Sequence, residues 1–85
     1  MNEIVLYTTP FCGYCRAAKR LLDKKGASYS EIDLYRFPDK RGEMVQRSRG
    51  GRTVPQIFIG GRHIGGFDEL YALDLGGKLD PILAA

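Results

Sequence analysis

The hydrophobic pattern changes period twice before Leu34, and few folds accommodate such a change. Glu3-Ile4-Val5-Leu6-Tyr7-Thr8 is a β-branched and aromatic run closed by Thr9-Pro10, which predicts a buried strand. From about Gly13 to Lys25 the pattern turns helical. Ala17, Leu21 and Lys24 lie along one stripe, Ala18 and Leu22 beside it, and Gly26 supplies the stop. Ser28 to Leu34 then alternates in polarity as a half-buried strand does. Two strands joined through such a helix run parallel, and the crossover is right-handed because a twisted strand returns onto its own sheet only that way.

Beyond Leu34 the signals shorten. Pro38 opens a polar segment, Asp39 to Arg49, expected to be helical around Met44 and Val45 and ended by Gly50-Gly51, with Gly42 in its middle. Val54 to Ile59 reads as a strand, Gly60-Gly61 as a two-residue hairpin turn, and Arg62-His63-Ile64 as the returning strand. Gly65-Gly66 precedes a last helix, Phe67 to Leu75, with Leu70, Tyr71 and Leu73 as expected core contacts. Asp80-Pro81 reads as the cap and first position of a final helical turn. The order β-α-β-α-β-β-α predicts an α/β fold with one four-stranded mixed sheet flanked by helices, in a single domain spanning residues 1–85.

Composition narrows the function classes. Hydrophobic residues make up 44% and charged residues 27%, ordinary for a globular chain. The apolar run near Met1 is too short for a secretory signal, and none approaches the roughly 20 residues that span a bilayer. A soluble, cytoplasmic, monomeric protein is expected. The net charge of +3 is concentrated between Arg36 and Arg52, where Lys40, Arg41, Arg47 and Arg49 contribute. Without interleaved aromatics this charge describes a solvated face and excludes a nucleic-acid-binding module.

The chemistry centres on Cys12-Gly13-Tyr14-Cys15, at the junction of the first strand and first helix. A disulfide between residues three apart closes too short a loop to support the fold. Structural zinc needs four ligands, and the chain offers two cysteines and His63 on a distant hairpin, so one chain cannot close such a site. His63 is expected to be a surface strand residue. A redox pair suits the position better. The free amides and positive dipole end of a helix favour a thiolate there. Cys12, outside the first turn, can attack; Cys15, one turn below and more buried, can resolve the resulting mixed disulfide.

With these residues the chain resembles the glutaredoxin family, within the thioredoxin fold. Four separated segments carry the resemblance: Tyr7 to Cys15 (Y-T-T-P-F-C-G-Y-C), Thr53-Val54-Pro55, Gln56-Ile57-Phe58-Ile59 and Gly65-Gly66-Phe67-Asp68-Glu69. The resemblance implies a cis proline at Pro55, which turns the Val54 backbone, beside Thr53, toward the cysteine pair so that glutathione pairs with it like an added strand. Read alone, Pro55 is a tolerated strand-start proline. The resemblance also implies that Gly66 and the amides of Phe67 and Asp68 hold the γ-glutamyl carboxylate, and that the Asp68 carboxylate faces the ammonium group. By itself, Asp68 need only favour the helix terminus. Tyr14 is implied to line the groove. Two positions depart from the family pattern. Thr9 stands where many members carry a lysine for the glycyl end, leaving Arg47 or Arg49 as substitutes, and Gly13 stands where proline is common.

The implied activity is glutathione-dependent thiol–disulfide exchange on glutathionylated and disulfide-containing proteins. Two rival readings remain open at this stage. One is a redoxin of the same fold reduced by a thioredoxin reductase. The other is an iron–sulfur cluster carrier, in which Cys12 and glutathione from each of two monomers hold the cluster.

Overall fold

The computed structural model describes residues 2–85. The element order is β1 (Ile4–Thr8), α1 (Gly13–Lys24), β2 (Ser30–Asp33), α2 (Lys40–Arg47), β3 (Gln56–Ile59), β4 (Arg62–Gly65), α3 (Phe67–Leu75) and α4 (Leu79–Ala84). The sheet runs β2-β1-β3-β4. β1 pairs parallel with β2, while β1–β3 and β3–β4 are antiparallel. The mixed sheet and the order of its elements are those expected, with a fourth short helix closing the chain.

The period of two in the strands divides the core between the two sheet faces. Ile4, Leu6, Ile57 and Ile59 face Ala18 and Leu22 of α1, Leu70 of α3, and Leu79 and Leu83 of α4. On the other face Tyr7 and Phe58 pack with Leu34 and with Met44 of α2. Because both faces are covered, every residue of β3 is buried. β2 and β4, at the two sheet edges, are the exposed strands, and the alternation expected of β2 is absent, two exposed residues being followed by two half-buried ones.

Several local expectations are corrected. The buried stripe of α1 is Cys15, Ala18 and Leu22, whereas Lys24 is exposed. The helix turns its Cys15 side onto the sheet, leaving Ala17 and Leu21 half-buried at the margin. α2 ends at Arg47, because Arg49 and Gly50 take positive φ angles of 58° and 106°. Tyr71 is 46% exposed and stacks outward on Phe67 at 5.6 Å instead of entering the core. α4 begins at Leu79, so Asp80 lies inside its first turn and pairs with Lys25 at 2.9 Å. Gly60 and Gly61 have φ of 60° and 79°, the doubly positive geometry that lets a two-residue turn follow the twist of its hairpin.

Candidate functional site

The site forms where β1 delivers the chain into α1. Cys12 is the N-cap of that helix, and its Sγ accepts the Cys15 backbone N–H at 3.2 Å. An amide aimed at sulfur from a helix terminus stabilises a thiolate, as the anion-binding role of such termini requires. No acidic residue occupies the first turn of α1 to oppose it. Sγ also lies 3.6 Å from the Val54 carbonyl. That contact crosses from β1 to the residue before Pro55, and the Val54–Pro55 peptide is cis.

Cys15 has the opposite setting. It is 1% exposed, and both cysteines are free thiols. Burial, followed by the hydrogen bond to Cys12, pushes the Cys15 thiol from 9.0 up to about 12. The Thr9 backbone amide and the Lys19 charge pull the other way, and are outweighed. The pair is therefore asymmetric: Cys12 is accessible at a helix terminus, and Cys15 is a buried thiol that holds its proton.

Beside Cys12 runs a groove of about 510 Å³ lined by Tyr14, Thr53, Val54, Pro55, Gly66, Phe67 and Asp68, together with Gly51, Gln56, His63, Gly65 and Glu69. Tyr14 is 66% exposed and stacks on Phe67 with centroids 6.3 Å apart, so the two rings wall one side. At the far end the N-terminus of α3 opens. The Gly66 amide there is satisfied by the Glu69 carboxylate at 2.7 Å. Phe67 and Asp68 follow as the first residues of α3, placing their amides at the positive helix terminus. Gly65 has φ of 122°, and a Cβ on it would come within 2.6 Å of Glu69 Oε1, so only glycine fits this bend.

The weaker candidates lie elsewhere. Thr9, Arg47 and Arg49 line no part of the groove. Arg47 donates to the Tyr7 hydroxyl at 2.9 Å and lies 4.3 Å over the Phe58 ring. The same hydroxyl donates to Glu43, so Arg47 and Glu43 tie α2 to the buried end of β1. Hydrogen bonding from Tyr7 holds the Glu43 carboxyl below its usual range.

Gln56 and His63 were not among the residues expected in the site. Gln56 is 6% exposed and donates to the Thr53 carbonyl at 3.0 Å, which orients its Oε1 toward His63 Nε2 at 2.7 Å. The His63 ring also lies tilted against Phe58, with centroids 5.0 Å apart. The chain His63–Gln56–Thr53 braces the segment that presents Val54 to Cys12. A buried glutamine in an otherwise apolar strand was the available signal for it.

Comparison with known proteins agrees with this geometry. The family model described as Glutaredoxin matches residues 4–64. Glutaredoxin 3 of Escherichia coli is 52% identical over 83 residues, spanning 98% of this chain and 99% of its own. A crystal structure of a buckwheat glutaredoxin–glutathione complex superposes with a TM-score of 0.89 at 40% identity, covering 98% of this chain and 77% of that one. The solution structure of a glutaredoxin from Brucella melitensis is 53% identical with a TM-score of 0.83, over 98% and 89% of the two chains. Among the described residues, no helix is long and apolar enough to cross a membrane. With its cysteine pair on a thioredoxin-like fold, the chain belongs to the glutaredoxin family of thiol–disulfide oxidoreductases.

Proposed function

We propose that this protein uses glutathione as its redox partner and removes glutathione from protein thiols through Cys12. One observation carries the reading: the groove that ends at the N-terminus of α3 is lined by Tyr14, Phe67 and Val54, and the Val54 carbonyl lies 3.6 Å from Cys12 Sγ. A γ-glutamyl-cysteinyl-glycine chain has a thiol to place at one end of such a groove and a carboxylate with an ammonium group to place at the other. Backbone of Thr53 and Val54 pairs with the peptide, the Phe67 and Asp68 amides take the γ-glutamyl carboxylate, and the Asp68 carboxylate takes the ammonium. The buckwheat relative solved with glutathione supports the assignment.

The Cys12 thiolate attacks the glutathione sulfur of a mixed disulfide. The bond to the substrate breaks, the substrate leaves as a thiolate that takes a proton, and Cys12 carries glutathione. A second glutathione thiolate then attacks the glutathione sulfur, releasing glutathione disulfide and returning the Cys12 thiolate. The Cys15 amide, 3.2 Å from Sγ, stabilises that leaving sulfur. With protein disulfides, Cys15 instead attacks Cys12 Sγ in the mixed disulfide, and the Cys12–Cys15 bond forms as the substrate thiolate leaves. The protein acts as a cytoplasmic monomer in this reading, where glutathione keeps thiols reduced.

Deglutathionylation of a labelled peptide, with glutathione, glutathione reductase and NADPH, tests the proposal. A fast rate abolished by Cys12→Ser is expected. A rate no greater than the uncatalysed exchange would overturn it, and would favour a thioredoxin reductase as electron donor.

A further inference from the structure

We propose that the exposed aromatic patch of Phe11, Tyr35 and Phe37 docks the protein half of the substrate, selecting segments with an apolar side chain and a carboxylate beside the modified cysteine. The inference rests on the glutathione-dependent reading above and adds to it the chemistry of the protein partner.

The patch gathers three of the exposed large hydrophobic side chains beside the nucleophile. Phe11, Tyr35 and Phe37 are 87%, 72% and 50% exposed. Phe11 and Tyr35 meet edge to face at 6.4 Å, so these two form one surface, and Phe37 follows Tyr35 two residues along the same loop. A cluster of large apolar groups left in water on a chain this small marks a contact surface.

Its place in the fold says what the contact is. The strand order is β2-β1-β3-β4. Cys12 follows β1, the glutathione groove is built from the chain flanking β3 and β4, and Tyr35 and Phe37 follow β2 on the opposite side. None of the three aromatics lines the groove. A mixed disulfide has two halves joined at the sulfur that Cys12 attacks. With glutathione lying toward β4, the protein half is left on the β2 side, against Phe11, the residue next to the nucleophile.

Charge defines the partner further. Arg36 sits between Tyr35 and Phe37 with its guanidinium 5.9 Å from the Phe37 ring, and Arg16 lies one turn along α1 from Cys12. Neither forms an ion pair among the described residues. The Asp33 carboxylate accepts the Tyr35 backbone N–H at 2.8 Å, which fixes the loop that carries the rings, and Asp39 follows Phe37 at the start of α2. Apolar faces edged by unpaired guanidinium groups suit an apolar residue flanked by Asp or Glu.

The test uses three substrates: glutathionylated peptides of equal length with Leu and Glu, or Ser and Lys, flanking the cysteine, and the mixed disulfide of glutathione with 2-mercaptoethanol. Wild-type protein should favour the Leu–Glu peptide by about tenfold in kcat/KM. Replacing Tyr35→Ser and Phe37→Ser together should remove most of that preference and leave turnover of the small mixed disulfide unchanged. Equal use of both peptides by the wild type, or an equal loss on all three substrates in the variant, would overturn the docking role. If the wild type turns over none of the three, the glutathione reading itself falls and takes this inference with it.

Discussion

Burial of Cys15 sets how fast the cysteine pair can close, and the consequence is a steep pH dependence. Consider the protein loaded with glutathione on Cys12. Cys15 must lose a proton before it can attack Cys12 Sγ and expel glutathione. In the free protein its thiol stands at about 12, first because of burial and then because of Cys12. Glutathionylation removes the negative charge on Cys12 but leaves the burial, so the thiol stays well above its ordinary value of 9.0. At pH 7 a thiol titrating near 12 is roughly 10⁻⁵ thiolate, against roughly 10⁻² for one near 9. The more basic thiolate is also the better nucleophile, which recovers roughly 20-fold of that thousandfold deficit. With the Cys12 contribution lost in the adduct, the remaining deficit is an upper bound: closure should run slower than for an exposed cysteine in the same place, by up to roughly 50-fold. Below the thiol's pKa, deprotonation rises with pH, so the rate should keep climbing steeply from pH 6 through about pH 10 without a plateau. The assay prepares the glutathione adduct in acid, jumps the pH, and follows released glutathione by mass spectrometry, with Cys15→Ser as the blank. A rate that bends over at about pH 9 and is flat by about pH 10 would refute the reasoning, because Cys15 would then titrate as an ordinary exposed thiol near 9.0.

Three further outcomes follow from the groove and the first helix. Asp68→Asn should raise the KM for glutathione about tenfold while leaving the fold intact, since the side chain is exposed and its lost contact is to the ligand ammonium; steady-state kinetics beside a thermal melt checks both. Gly65→Ala forces a side chain into φ of 122° and against Glu69, so urea unfolding should show a loss of roughly 1–3 kcal/mol together with weakened glutathione binding. Gly13→Pro should raise stability by roughly 0.4–1 kcal/mol in the same measurement, because Gly13 is the first residue of α1 and a Cβ there meets nothing within 4 Å.

What could be read in the sequence was what short-range chemistry records. The C-x-x-C pair, the glycine-rich approach to α3 and the hairpin at Gly60-Gly61 each announce themselves within a few residues. The β-α-β-α-β-β-α order followed from where the hydrophobic period changes. Less was legible where a residue's role is decided by a distant partner. Arg47 stands in a basic stretch and suggested a carboxylate ligand, yet its guanidinium, at the end of α2, is committed to Tyr7 of β1 and Phe58 of β3. His63 is the exposed strand residue expected of it, but its tie to Gln56 exists only once β3 and β4 pair. Tyr71 has the spacing of a core residue, but the rotation of α3 places it on the outer face above Phe67. On α1 the helical period was plain in the sequence, while the side that meets the sheet was set by how the crossover lands.

The central claim is that Cys12 carries glutathione as a covalent intermediate, and trapping it is the most direct measurement. The Cys15→Ser variant is mixed with a glutathionylated peptide in the absence of free glutathione, quenched in acid and analysed by peptide-mapping mass spectrometry. The account predicts one glutathione on Cys12 and an equal amount of freed peptide thiol. An adduct of Cys12 with the peptide instead of glutathione, or no adduct while the peptide remains modified, would contradict it.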